Sequence, residues 1–158
     1  MKRVLVLAVL MFPAACATAP RAIVASVPVP VRRPAPEPPE VKDPNFILVV
    51  SESVPNPDDD GISFTKVFVD GKEAGKTAIG RKVDERTLKL KLPVGNQPIR
   101  LEHWTLPGVG EWTRLDDALQ PRERFVRIEE GTVARLELRF SSEEASNTLT
   151  LSRENSPR

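Results

Sequence analysis

A chain of 158 residues has room for one domain, and 23 basic against 22 acidic side chains, a formal net charge of +1, give no global field to gather nucleic acid. A single cysteine excludes an internal disulfide, and with a single histidine the chain has too few ligands for a zinc site. No nucleophile motif accompanies that histidine, which argues against an enzyme.

Residues 1–15 read as an export signal: Lys2 and Arg3 form a positive start, an apolar run extends from Val4 to Phe12, and small residues follow. The run is far too short to span a bilayer, which takes roughly twenty residues. Loss of Lys2 and Arg3 with the leader would shift the net charge to −1. Cys16 stands directly after Ala14 and Ala15, and this placement resembles the bacterial lipobox, although Pro13 occupies the position that usually holds Leu. The resemblance implies cleavage before Cys16 and a lipid anchor on it, with Ala17 matching the pattern sorted to the outer membrane, facing the periplasm. Ordinary cleavage after Ala17 or Ala19 is the alternative.

Residues 16–44 form the expected lipidated N-terminus and linker. Eight of the sixteen prolines fall at positions 20, 28, 30, 34, 36, 38, 39 and 44. They remove backbone donors and pin φ, so the segment reads as a semi-rigid spacer rising about 3.1 Å per residue where extended.

From residue 45 to 154 short runs of period two take over. FILVV (46–50) is a continuous apolar, branched run, as in a strand buried on both faces. NPDDDG (56–61) places Asn56, Asp58, Asp60 and Gly61 at the first positions of a calcium loop, but Val67 stands where the bidentate Glu belongs, so a solvated turn is the stronger reading. ISFTKVFVD (62–70) is β-branched and aromatic, and Asp70-Gly71 is a strong hairpin signal. The following Gly75-Lys76-Thr77 mimics the end of a phosphate loop, yet the spacing from Gly71 is one residue short and no helical period follows, so no nucleotide is expected.

TLKLKL (87–92) alternates strictly, turning Leu88, Leu90 and Leu92 inward. After a turn at Gly95-Asn96, PIRLEHWT (98–105) places His103 on the core face with Ile99 and Leu101, and Trp104 on the outer one. The connection 106–122 carries Glu111, Trp112 and Arg114 and one helical candidate, RLDDALQ (114–120). RFVRIEE (124–130), a turn at Gly131-Thr132, VARLELRF (133–140) and NTLTLSR (147–153) complete the series, with residues 155–158 as a tail. Such spacing of strands and turns predicts an all-β fold, a small antiparallel β-sandwich of about seven strands.

VFVDGKEAGKT (67–77), LKLKLPVGNQPIRLEH (88–103) and RFVRIEEGTVARLELRF (124–140) together resemble the PEGA-type and related carboxypeptidase-regulatory-like modules of bacterial surface proteins. The departures are Gln97-Pro98 after the turn and the insertion 106–122. The resemblance implies a β-sandwich in a non-catalytic envelope protein without cofactor, contacting another envelope protein or the cell wall. Trp104, Trp112, Glu111 and Arg114 are the candidate contact residues. An alternative, from exposed tryptophans beside a Gly-Pro loop, is a carbohydrate- or peptidoglycan-binding module.

Overall fold

The described residues are 41–106, 110–141 and 144–155 of this computed structural model. The leader, Cys16 and nearly all of the proline-rich linker lie outside them. In chain order the strands are β1 (Phe46–Ser53), β2 (Ile62–Val69), β3 (Lys72–Lys76), β4 (Gly80–Arg81), β5 (Arg86–Leu90), β6 (Gly95–Leu106), β7 (Thr113–Arg114), β8 (Arg124–Ile128), β9 (Thr132–Ser141) and β10 (Ser146–Asn155). Two of these, β4 and β7, are two-residue pairings; seven of the others correspond to the runs read from the sequence, and β3 is the return strand of the Asp70-Gly71 hairpin.

A four-stranded sheet, order β10-β9-β1-β5, packs against a second sheet in which β3-β2-β6-β7 run side by side, with β4 also on β2 and β8 also on β6. The sandwich core lies between them: Phe46, Leu48 and Val50 from β1 meet Val67, Ile99, Leu101, Val126 and Ile128 from the second sheet, with Leu136 and Leu138 from β9. Period-two alternation puts these residues on one side of each strand. Burying a Leu, Ile or Phe side chain this completely stabilises by about 1.5–3 kcal/mol each.

Every ladder is antiparallel but one, for β1 and β9 run parallel from Phe46 opposite Ala134 to Ser53 opposite Ser141. A parallel pair ordinarily needs a helical crossover. Here the chain between the two strands builds the whole second sheet, which serves as the crossover. Asn45 extends β1 at its start: its side chain accepts from Leu92 N–H at 2.7 Å and donates to Leu92 O at 2.8 Å, imitating one more rung opposite β5.

The Asp70-Gly71 turn forms as expected, with φ of 50° and 75°, and joins β2 to β3. Gly95 also takes a positive φ of 125°, but Asn96 lies in β6 with ordinary backbone, because this connection passes from one sheet to the other rather than closing a hairpin. The Gly75-Lys76-Thr77 sequence has a packing explanation. A Cβ on Gly75 would lie 3.3 Å from Leu90 Cδ2, so glycine lets β3 close over the leucines of β5. Thr77 is buried, and its hydroxyl accepts from Thr65 N–H at 3.0 Å.

RLDDALQ departs from its helical expectation. Arg114 belongs to β7, and Asp116 to Gln120 make a single turn closed by Leu119 N–H to Asp116 O at 2.8 Å. Gln120 explains why it stops: its side chain accepts from His103 N–H at 2.8 Å and donates to the carbonyls of His103 and Leu115, clamping the insertion flat against β6.

Candidate functional site

Strands β2 and β6 place two different chemistries on opposite faces of one sheet. Their registers pair Ser63 with Thr105, Phe64 with Trp104, Thr65 with His103 and Phe68 with Arg100. Ser63, Thr65 and His103 therefore face the other sheet, while Phe64, Phe68 and Trp104 face outward.

On the outer face the rings form a connected array. Phe64 and Trp104 lie parallel with centroids 6.2 Å apart, and Trp112 meets Phe64 edge-on at 4.7 Å. The two-residue β7, pairing Arg114 with Trp104, holds the insertion in place beside this array. Cations stand over the rings: Lys66 Nζ is 5.8 Å from Trp104, Lys76 Nζ 5.6 Å from Phe64, and the Arg100 guanidinium 4.0 Å from Phe68. Lys66 also pairs with Glu73 at 3.0 Å, Arg100 with Glu102, and Arg114 with Asp117 at 2.7 Å. At the far end of the same face Phe125, opposite Pro98, is 74 % exposed.

Of the four candidate contact residues, the structure brings Trp104 and Trp112 together through Phe64. Arg114 sits beside them, 3.9 Å from Glu102, and Glu111 is exposed at the array's edge. Trp112 does not enter the core between the sheets; it packs on the outside.

The inner face at one end of the sandwich is polar. Glu52, at the end of β1, is nearly buried, and its Oε1 receives the Ser63 hydroxyl and the Arg86 guanidinium. Arg86, also buried, donates to Ser63 O at 3.0 Å. His103 is 1 % exposed, with Nδ1 2.9 Å from Thr65 Oγ1, Nε2 3.4 Å from Glu52 Oε1 and its ring 4.2 Å from that of Phe140. Burial by itself would raise the Glu52 carboxyl, but His103, Ser63 and Arg86 outweigh it and hold the pKa down to about 2. The cluster is thus a buried ionised pair, Glu52 with Arg86, with hydrogen-bonded neighbours.

The calcium candidate resolves into a structural turn. Asn56 caps the 3₁₀ helix Pro57–Asp59 by accepting from Asp58 N–H, and Asp60 receives Arg81 and Val83 N–H. Among the described residues no three His, Cys, Asp or Glu side chains gather as a metal site.

Phe64, Phe68 and Phe125 carried a usable signal, since each alternates with core residues in its run. Glu52, Arg86 and Gln120 carried none, because each meets its partners across a long stretch of chain. Comparison with protein-family models, with curated proteins and with solved structures finds no significant match in any of the three.

Proposed function

We propose that this domain is a non-catalytic interaction module of the bacterial envelope, docking a protein partner on the outer aromatic face of its six-stranded sheet. The observation that carries this reading is the array on the outer face of the sheet, the half-buried Trp112 and Trp104 over a buried Phe64, extended by the exposed Phe125. Aromatic side chains held rigidly with arginines beside them are the usual composition of binding hot spots. Of the four cations beside the patch, Lys66, Arg100 and Arg114 are already paired with Glu73, Glu102 and Asp117, so the complementary surface is chiefly an apolar anchor. A sugar platform has less support: the carboxylates Glu73, Glu102 and Asp117 are committed to ion pairs, and the rings present a ridge with cations over it rather than a flat open face.

In this reading Cys16 carries the lipid, probing of the periplasm is done from the outer membrane, and the proline-rich segment keeps the module clear of the bilayer. The turn residues Asp70-Gly71 and Gly131, all with positive φ, support the likeness to PEGA-type modules at the level of fold.

The test is photo-crosslinking from position 112 in the native cell, followed by capture with purified variants. Trp112→Ala and Phe125→Ala should each weaken capture of the crosslinked partner by about 2 kcal/mol, roughly thirtyfold. Full capture by the double variant would discard this face as the docking surface. Cys16→Ala should release the protein to the soluble fraction, and unchanged fractionation would remove the anchor from the proposal.

A further inference from the structure

At the end of the sandwich where β1, β6 and β9 finish, a cavity of about 200 Å³ opens between the two sheets, on the side of β6 opposite Trp104. Its walls are largely apolar, from Val54, Leu115, Leu119 and Phe140, and Glu52 and His103 also line it. The insertion builds one wall: without the Gln120 clamp on His103, Leu115 and Leu119 would not be held over the opening.

Asp59, Lys82, Thr105 and serines line the cavity as well, and of its polar side chains the buried Glu52 and His103 are incompletely used. Ser63, Arg86 and His103 all converge on Oε1 of Glu52, and His103 Nε2 is buried with no aligned hydrogen-bond partner. A lone pair on Nε2 would face an ionised carboxylate at 3.4 Å, which is repulsive, so the proton belongs on Nε2 and Nδ1 accepts from the Thr65 hydroxyl. That leaves Nε2–H with only a long, poorly aligned contact to Oε1, beside a carboxylate with accepting capacity to spare, both nine-tenths buried. Such groups are costly unless something completes them.

From this geometry we infer a binding site for a small neutral hydroxyl compound with an apolar ring, of the phenol class. A hydroxyl is the smallest group that donates to a carboxylate and, with a small turn of the buried His103 ring, accepts from Nε2–H at once. The ring matches the walls of leucine, valine and phenylalanine, and a cavity of this size encloses a single ring. Neutrality follows from charge: Glu52 is already balanced by Arg86, and the other charged lining residues, Asp59 and Lys82, are one of each sign, so the cavity offers an ion no net opposite charge for its lost hydration.

The experiment is titration of the full chain with p-cresol, p-xylene and p-toluate, read by the methyl resonances of Leu115, Leu119 and Val54 and by the His103 ring nitrogens. Saturable shifts are expected with p-cresol, at least tenfold weaker binding with p-xylene, and no saturable shift with p-toluate. Leu119→Trp, which fills the cavity, should weaken p-cresol binding at least tenfold, and Trp112→Ala should leave it unchanged. Absence of saturable shifts with p-cresol overturns the site. Equal binding of p-xylene overturns the hydroxyl recognition, and this comparison needs no variant to fold. Loss of p-cresol binding in Trp112→Ala would place the ligand on the outer face instead.

Discussion

The two faces of the sheet formed by β2 and β6 reverse the common arrangement. Toward the insertion end, the inward side carries Ser63, Thr65 and His103 against Glu52 and Arg86, while the outward side carries Phe64, Trp104 and Trp112. One end of the same sandwich, at Val67, Ile99 and Leu101, keeps the ordinary apolar interior. Each side of the reversed end has a cost. A buried ion pair is dehydrated, and replacing such pairs with apolar residues is often neutral or stabilising. The half-buried tryptophans that cover Phe64 retain apolar contact with water. A region that departs from patterning on both sides is where binding is to be sought, and the two proposals occupy its two faces.

The largest effect should come from splitting the buried pair. Glu52→Gln preserves shape but leaves Arg86 buried without its counter-charge, and should destabilise by about 3–5 kcal/mol in urea unfolding. A loss under about 1 kcal/mol would mean that water reaches the pair and that the inner face is not the dry site described above. The same carboxyl predicts a pH dependence. Its folded pKa, about 2, lies below the ordinary 4.5, so its contribution is full above 4.5 and is lost as pH falls toward 2. The wild-type stability should drop by about 3 kcal/mol more than that of Glu52→Gln over this window.

Gly71→Val tests a part of the second sheet remote from the reversed end. Nothing lies within 4 Å of a Cβ there, so the cost is backbone strain at φ +75°, about 1–3 kcal/mol. Cresol binding should survive it, and coupled loss of both would show that the hairpin and the cavity are one unit. Trp112→Ala removes an edge-to-face contact on the outside and should cost only about 0.5–1.5 kcal/mol of stability, against the thirtyfold loss of capture expected above. A cost of about 3–5 kcal/mol would instead make this tryptophan a core residue. Lys76→Ala removes an exposed cation over Phe64 and should shift stability by at most about 1 kcal/mol. Nucleotide binding lost in that variant would revive the phosphate-loop reading of Gly75-Lys76-Thr77.

Local signals carried much of the fold. The alternation of Leu88, Leu90 and Leu92, the placement of His103 inward and Trp104 outward, and the Asp70-Gly71 hairpin all follow from side-chain period and from backbone angles confined to a few residues. These are properties that a short stretch of chain has by itself, so they were legible before any tertiary contact was known. The candidate site was legible by half: Trp104, Trp112, Arg114 and Glu111 stood out, but Phe64, the ring that joins the tryptophans, did not.

Tertiary structure alone decided the rest. The parallel pairing of β1 with β9 joins residues about ninety positions apart, and no local pattern distinguishes a parallel neighbour from an antiparallel one. Glu52, Arg86 and His103 look like unremarkable strand residues in sequence, and become a buried polar cluster only when β1, β5 and β6 converge at one end of the sandwich. The turn at Asp116–Gln120 stayed short because Gln120 found the backbone of His103, a long-range hydrogen bond that outweighed helical spacing. Periodicity tells each side chain which face it occupies. Which chemistry it meets there depends on the free energy of packing two whole sheets together.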